Sequence, residues 1–285
     1  MANLKDLKGR IGSIKNTQQI TKAVKMIAAN KLKQSQRSLL NIKHYKDELL
    51  NLKNELSFKI NTQKEDFSLQ TDKPKLLIVI SSNRGLAGGF NNNIIRESIK
   101  FIKNAEASNL KPDIVTIGSK ARDFFNKSNI SILEDRSSIF DNLNFNNFKD
   151  RILPIVNTNK YSEIIVIYNK FKSAALQIVD TQNIYPLDYN NTSGDFVTNS
   201  TDYILEPSKD TIMDNLDSSI ILTLLYHAII SSFTSEQAAR MITMDQATEN
   251  ANNLLSDLTL EYNQIRQSII TNEILEISAA AKALK

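Results

Sequence analysis

Residues 244–269 read MDQATENANNLLSDLTLEYNQIRQSI and contain neither glycine nor proline. Apolar or small side chains recur in this stretch at steps of three and four residues, at Met244, Ala247, Ala251, Leu254, Leu258, Tyr262, Ile265 and Ile269. A period near 3.5 that persists over several heptads is characteristic of a coiled coil. The stretch therefore predicts a long helix that packs one seam against a partner helix.

A second helical arm, at the amino terminus, supplies the expected partner. Its seam begins with Leu4, Leu7, Ile11 and Ile14 and resumes with Leu39, Ile42, Tyr45, Leu49, Leu52, Leu56 and Ile60. Glycine and proline, which cost a helix interior about 1 and 3 kcal/mol, are absent from 13–73 and 208–285. The net charge is +9 over residues 1–60 and −6 over residues 205–285. We therefore expect the two arms to pair antiparallel as a rod on the order of 110 Å long.

The region between the arms alternates between strand and helix patterns. Short β-rich runs at 75–80, 113–118 and 163–168 alternate with helical stretches near 92–107, 119–127 and 144–157, and 176–186 could add an edge strand. This order predicts a βαβ domain with a largely parallel sheet. The predicted fold is an α/β insert on a long antiparallel α-helical coiled coil formed by the N- and C-terminal arms. Its parts are a coiled-coil arm (1–73), an inserted Rossmann-like α/β domain (74–207) and a second coiled-coil arm (208–285).

Composition excludes several kinds of chemistry. The chain has no cysteine, which excludes disulfides, thiolate metal sites and a cysteine nucleophile, and it has two histidines, His44 and His227. We expect His227 to be a core histidine, and we find no paired carboxylates, metal-ligand spacing or nucleophile–base pattern. The start of the chain has no signal-peptide pattern, and its most apolar stretch, 219–233, is expected to be a buried helix. No catalytic residue, metal or cofactor is therefore predicted.

A glycine-rich stretch follows the first predicted strand. Residues 81–93 read SSNRGLAGGFNNN, but the spacing of Gly85, Gly88 and Gly89 fits neither the dinucleotide fingerprint nor the P-loop. We expect a tight structural turn. Two alternatives remain open on the residues alone: a nucleotide-binding α/β enzyme that uses the Gly85–Gly89 turn, and a coiled-coil protein that binds nucleic acid through its basic arm.

The seam of the first arm turns polar at Gln18, Thr21 and Lys25. Polar side chains weaken an apolar seam, and they occur either as a layer that sets helix register or as a contact surface for a partner. Both interpretations stay open at this point.

Three long stretches resemble the gamma subunit of F-type ATP synthases, the rotary shaft of the catalytic head. They are IKNTQQITKAVKMIAANKLKQSQ (14–36), SSNRGLAGGFN (81–91) and the region from SEQAARMITMDQATENANNLL to TLEYNQIRQSIITNEILEI (235–277). The resemblance extends over essentially the whole chain. One departure is visible near the carboxyl terminus, where Ala280 and Ala281 stand at positions that the family usually fills with Gly-Ala.

The resemblance implies a function. It implies a non-catalytic central rotor shaft of a proton-translocating F-type ATP synthase, which couples ion-driven rotation to conformational cycling of the catalytic subunits. The implied partners are a hexameric ring of alternating alpha and beta subunits, the epsilon subunit and a membrane rotor ring of c subunits, with one copy of the chain per complex. No cofactor and no nucleic acid are implied. The expected location is the cytoplasmic face of a bacterial cell membrane, where the complex holds the chain peripherally.

The same resemblance implies contact residues. Arg266 and Gln267 match a pair that contacts a loop of a catalytic subunit, and Arg240 is a similar case. Tyr203 and Glu206, in the stretch DYILEP (202–207), match the foot that docks on the rotor ring. The small and nearly uncharged end, 277–284, is expected to turn in an apolar bearing. We further expect the basic first arm to offer charges to acidic loops of the ring. The expected ring contacts are Lys22, Lys25, Lys31, Arg240, Arg266 and Gln267.

Overall fold

The computed structural model describes residues 4–59, 73–107, 111–141, 143–156, 160–187, 205–206 and 208–283. The elements are, in chain order, α1 (Leu4–Lys59), β1 (Lys75–Ile80), α2 (Phe90–Ala107), β2 (Asp113–Ile117), α3 (Ser119–Lys127), β3 (Glu134–Asp135), a short 3-10 helix (Ser137–Asp141), α4 (Phe145–Ile152), β4 (Glu163–Phe171), β5 (Gln177–Tyr185) and α5 (Lys209–Ala283). The two long helices are the predicted arms. The prediction of an α/β insert on an antiparallel coiled coil is confirmed.

The strands form one five-stranded sheet in the order β3-β2-β1-β4-β5. β1 pairs parallel with both β2 and β4, and β3 pairs parallel with β2. β5 runs antiparallel to β4 at the edge of the sheet, where the extended stretch 176–186 was expected to add a strand. The chain crosses from one side of β1 to the other between β3 and β4, which is the arrangement of a doubly wound sheet.

Helices cover both faces of this sheet. Side chains from alternate positions of the central strands enter two cores, because successive residues of a strand point to opposite faces. On one face Leu77, Val79 and Ile167 pack with α2 and α3 through Phe90, Ile94 and Phe125. On the other face Leu76, Ile78 and Val166 pack with α4, α5 and the end of α1 through Phe148, Leu225 and Leu56.

The chain divides into two compact units, one comprising Met1–Ala29 and Arg240–Lys285 and the other Asn30–Ala239. The first unit is a pair of antiparallel helices, because residues later in α1 contact residues earlier in α5. The contacts are Gln18 with Asn252, Thr21 with Thr248 and Lys25 with Asp245. The division into 1–73, 74–207 and 208–285 stays a prediction.

The seam of α5 differs from the predicted one at two positions. Leu254 is exposed, and the neighbouring Leu255 is partly buried instead. The alternating steps of four and three that begin at Met244 arrive at Leu255, so an apolar residue one position earlier points away from the seam. Ile269 is also exposed. The residues that are buried or partly buried along the seam are Met244, Ala247, Thr248, Ala251, Leu255, Leu258, Tyr262 and Ile265.

Among the described residues, α5 is the one helix that is long and apolar enough to cross a membrane, judged by length and composition alone. The most apolar window of α5 is 67% buried inside the protein. Ile220, Leu225 and Ala228 belong to the core beneath the sheet. The stretch 219–233 is therefore part of a buried helix, as the sequence predicted.

Candidate functional site

The glycine-rich turn after β1 is held against the turn after β2. The Ser81 amide donates to the Ile117 carbonyl at 2.8 Å, and the Ala121 amide donates to the Ser81 hydroxyl at 2.9 Å. Gly118 has φ +115°, and a Cβ added there would lie 2.1 Å from the Ser81 carbonyl oxygen. Only glycine permits this approach of the two backbones.

The polar side chains of the turn bond to the chain itself. The Ser82 amide donates to the Asn91 side-chain oxygen at 3.0 Å, and the Asn91 amide donates to the Ser82 hydroxyl at 2.8 Å. Asn83 accepts from the Ser119 amide at 3.0 Å and donates to the Ser137 carbonyl at 3.0 Å. These donors brace the turn, as expected for a structural turn.

Helix α5 contacts the sheet next to the crevice in which a doubly wound sheet would hold a ligand. This crevice lies beyond the carboxyl ends of β1 and β4, where the strand order reverses. The Asn169 side chain donates to the Phe90 carbonyl at 3.2 Å, and the Ser235 hydroxyl of α5 donates to the Asn169 carbonyl at 3.0 Å. The Phe171 amide donates to the Ser231 hydroxyl at 3.0 Å. These contacts join α5 and the start of α2 to the carboxyl end of β4.

One apolar side chain of the turn is held in an unusual conformation. Leu86 has φ +62° and its side chain is 68% exposed. Residues other than glycine are uncommon in this left-handed backbone conformation, which costs of the order of 1 kcal/mol. Sequence reasoning gave no sign of it.

The predicted basic contacts lie on α1 in different surroundings. Lys22 and Lys31 are exposed. Lys25 is half-buried, and its ammonium lies 2.5 Å from the Asp245 carboxylate of α5. Lys25 therefore already has an acidic partner within the chain, whereas Lys22 and Lys31 present their charges to solvent.

The predicted contacts on α5 are also divided. Arg266 and Gln267 are exposed just beyond the last partly buried seam residue, Ile265. Arg240 is 8% exposed, so it offers little surface to a partner. Of the two foot residues, Glu206 is exposed and Tyr203 lies outside the described residues.

Apolar side chains on the outer face of α1 were missed by sequence reasoning. Ile20, Met26 and Ile27 are 63%, 61% and 58% exposed, although polar Gln18 and Thr21 occupy the seam beside them. Counting in heptads from the seam residue Leu4 places Ile20 and Ile27 at the same position, away from the seam. This spacing could have predicted that both side chains are exposed. The usual distribution of polar and apolar residues is inverted in this segment.

The end of α5 is also apolar and exposed. Five large apolar side chains follow the seam: Ile269, Ile270, Ile274, Leu275 and Ile277.

Among the described residues no group of three or more histidine, cysteine, aspartate or glutamate side chains could hold a metal ion.

Burial lowers the pKa of His227 to about 4, and Lys46 adds to this effect. The histidine is therefore neutral at physiological pH, as expected for a core histidine.

Comparison with known proteins gives full-length matches. A family model described as ATP synthase matches residues 3–284. The ATP synthase gamma chain of Flavobacterium psychrophilum is 41% identical over 292 residues, which cover 100% of both chains. The ATP synthase gamma chain of Chlorobium limicola is 38% identical over 297 residues, again covering 100% of both.

Solved structures share the fold. A chain of the Euglena gracilis mitochondrial ATP synthase rotor in rotational state 1 superposes with a TM-score of 0.66 at 20% identity, covering 94% of this chain and 98% of that one. A chain of the Euglena gracilis OSCP/F1/c-ring structure in rotational state 3 superposes with a TM-score of 0.67 at 20% identity, covering 99% and 94%.

Proposed function

This chain belongs to the ATP synthase family, among whose members its curated relatives are gamma chains, and we propose that it is the central rotor shaft of such a complex. The shaft is a non-catalytic subunit that couples rotation of a membrane rotor ring to conformational cycling of the catalytic subunits. The observation that carries the proposal is the antiparallel pairing of the first and last helices, from Gln18–Asn252 to Lys25–Asp245.

Coupling requires the shaft to contact the catalytic subunits unequally. An asymmetric helix pair inside a ring of alternating alpha and beta subunits touches each catalytic subunit differently, so rotation gives each one a changing conformational bias. Moving a site between populations of 1:99 and 99:1 takes about 5.5 kcal/mol of differential contact energy. A few buried apolar contacts and charge pairs supply energy of that order.

Two kinds of surface on the helix pair would make these contacts. Exposed cations and amides, at Lys22, Lys31, Arg266 and Gln267, can bind acidic and polar loops of the ring. Exposed apolar side chains, of which Ile20 is the most exposed on α1, can pack against apolar ring residues. Lys25 and Arg240 stay proposed contacts with less free surface.

The remaining partners are assigned to other parts of the chain. Glu206, with Tyr203, would dock on polar loops of the ring of c subunits, and the epsilon subunit would accompany the shaft. In a bacterial cell this arrangement keeps the chain on the cytoplasmic face of the membrane, held through the complex.

Reversal of the basic charges tests the proposal. The double variant Lys22→Glu/Lys31→Glu, which leaves the Lys25–Asp245 pair intact, should assemble into the complex but pump several-fold fewer protons per ATP hydrolysed, because like charges would face the acidic loops. Proton pumping and ATP hydrolysis are measured together on membrane vesicles. Lys15→Glu, on the exposed surface of the same helix, is the matched control and should pump normally. Normal coupling in the double variant would refute the charge contacts.

A further inference from the structure

We propose that the unassembled chain forms a closed dimer in which the β5 strands of two copies pair antiparallel, so that their sheets join edge to edge. Each copy contributes residues 177–183 of β5, with Thr181 of one copy opposite Thr181 of the other. The partner is therefore a second copy of this chain. The dimer concerns the chain before it enters a complex, and it does not rest on the proposed rotor function.

The two edges of the sheet differ in how they are protected. β3, at one edge, has two residues, Glu134 and Asp135, and these form ion pairs with Arg136 and Arg122. β5, at the other edge, has nine residues, and among the described residues β4 is its only neighbouring strand. It contains neither proline nor lysine, which commonly protect an edge strand from further pairing. The edge at β5 is therefore the one that is open to another strand.

Hydrogen bonds to α5 show how the backbone of β4 is oriented. The Phe171 amide donates to the Ser231 hydroxyl at 3.0 Å, and the Asn169 carbonyl accepts from the Ser235 hydroxyl at 3.0 Å. Both backbone groups therefore point away from β5. In an antiparallel pair, residues that lie opposite each other exchange either both backbone hydrogen bonds or none. Phe171 and Asn169 thus belong to the pairs without backbone bonds.

The same alternation identifies the outward-facing groups of β5. The residues opposite Phe171 and Asn169 are Gln177 and Val179, and the alternate positions continue to 181 and 183. The amides and carbonyls of these four residues point outward from the edge, in the plane of the sheet. The side chains at 181 and 183 are exposed, so none of the described elements covers them. This edge has the row of backbone donors and acceptors that a second strand requires.

Charge selects one register for two copies of β5. Outward-facing residues must meet outward-facing residues, so the allowed registers differ by steps of two positions. With Thr181 opposite its counterpart, Asp180 lies opposite Gln182 of the other copy. A shift in one direction places the two Asp180 side chains opposite each other, which is repulsive. A shift in the other direction places Asp180 opposite Ile184, an apolar residue of the core. The register centred on Thr181 is therefore favoured.

Asp180 and Gln182 are suited to contact each other across the dimer axis. Both side chains lie on the same face of β5, where the Tyr168 hydroxyl is 3.4 Å from the Asp180 carboxylate and 3.3 Å from the Gln182 side-chain oxygen. Because that oxygen faces Tyr168, the NH2 group of Gln182 is the part that can donate to Asp180 of the second copy. The two-fold axis makes this contact twice, together with about six backbone hydrogen bonds.

A two-fold dimer of this kind closes on itself. Each copy has one open edge and the pairing uses it, so no β5 edge is left for a third chain. The dimer therefore protects the unassembled chain against open-ended edge-to-edge association. Entry into a complex that takes a single copy requires the dimer to dissociate.

Disulfide trapping tests the register, since the chain has no native cysteine. Thr181→Cys places two cysteines across the axis with Cα atoms about 5.5 Å apart, within the range of a disulfide. Asn183→Cys is the matched control, because it is exposed on the same face of the same strand, but its two cysteines lie about 14 Å apart along the strands. Under mild oxidation of the full-length chain, Thr181→Cys should form at least about tenfold more covalent dimer than Asn183→Cys. Equal yields would indicate random collision and would overturn the register.

Sedimentation of the full-length chain tests the dimer itself. The unmodified chain should show a concentration-dependent equilibrium between monomer and dimer. Thr181→Pro removes an outward-facing amide and no bond to β4, so it should keep the unfolding temperature and raise the dissociation constant of the dimer at least about tenfold. Thr181→Val, which retains the amide, is the matched control and should dimerise normally. A chain that stays monomeric at every concentration would overturn the proposal, as would a Thr181→Pro variant that dimerises like the unmodified chain.

Charge changes at Gln182 give a result that a role in local stability would not. Gln182→Lys places an ammonium opposite Asp180 of the second copy and should lower the dissociation constant of the dimer by about threefold. Gln182→Asp places a carboxylate there and should raise the same constant by about threefold. High salt should reduce both differences. Changes in the same direction for the two variants would overturn the predicted pairing.

Discussion

Gly118 lies against the backbone of Ser81, which belongs to another turn of the α/β unit. Its φ of +115°, and the 2.1 Å that would separate an added Cβ from the Ser81 carbonyl oxygen, leave no room for a side chain. The contact joins the turn after β1 to the turn after β2, so it keeps the glycine-rich turn in place. The turn therefore depends on a glycine that lies outside the glycine-rich stretch.

Substitution of Gly118 should be far more damaging than substitution of a helical glycine. Gly118→Ala is expected to destabilise the chain by at least about 3 kcal/mol, because the clash and the backbone strain add. Gly12→Ala, in α1 with nothing within 4 Å of a new Cβ, should stabilise it by about 0.5–1 kcal/mol. Chemical denaturation of the full chain measures both. Equal effects of the two substitutions would contradict this explanation.

His227 should make the chain less stable at acidic pH. Its folded pKa, about 4, lies below its usual value of 6.5, so the unfolded state binds a proton more readily. The stability it contributes is complete above pH 6.5 and is lost as the pH falls from 6.5 towards 4, by up to about 3 kcal/mol.

The pH dependence of urea denaturation distinguishes the two histidines. His227→Gln should remove most of the loss between pH 6.5 and 4. His44→Gln, on the exposed face of α1, should leave the loss unchanged. If both variants kept the full loss, carboxylates and not His227 would be responsible.

At the scale of elements, α1 carries one seam along its whole length. Every seventh residue from Leu4 is buried or partly buried: Leu4, Ile11, Gln18, Lys25, Leu32, Leu39, Lys46 and Lys53. Two of the lysines on this seam pair with carboxylates of α5, Lys25 with Asp245 and Lys53 with Asp217. Charged residues occupy seam positions here because α5 supplies opposite charges across from them.

The Lys53–Asp217 pair should respond unequally to the loss of each partner. The Lys53 side chain is 3% exposed and that of Asp217 is 38% exposed. Asp217→Ala should destabilise the chain by about 3 kcal/mol, because it removes the carboxylate that faces a buried ammonium. Lys53→Met keeps the buried volume and leaves a carboxylate that water can reach, so it should cost less than about 1 kcal/mol. Thermal unfolding of the two variants measures the difference, and equal costs would show that the burial of Lys53 is unimportant.

Sequence periodicity predicted the regular helices and strands well, and the shortest strand and the contacts between distant residues poorly. β1 and α3 were predicted at their observed bounds, because a buried apolar run and an amphipathic helix each leave a strong periodic signal. β3 has two residues, too few for any period, and was missed. The pairing of Lys25 with Asp245 joins residues 220 positions apart, and no local pattern encodes such a contact.

At the scale of the whole molecule, family membership decides the function. The α/β unit has a doubly wound sheet, and Ser231 and Ser235 of α5 bond to the carboxyl end of its strand β4. The residues alone did not exclude a nucleotide-binding enzyme, because a glycine-rich turn after a strand can be either a structural turn or a phosphate-binding turn. Ser231 and Ser235 lie 60 and 66 positions along the chain from the residues of β4 that they contact, so only the fold could reveal these contacts.

The rotor function is most directly tested by watching the chain turn. Lys103 lies on the exposed face of α2, and Lys103→Cys gives the chain its only cysteine for attachment of a probe. The complex is fixed to a surface through its catalytic ring and supplied with ATP. We predict that the probe rotates in one direction in steps, in time with ATP hydrolysis. Sustained hydrolysis with a stationary probe would contradict the assignment of this chain as the shaft.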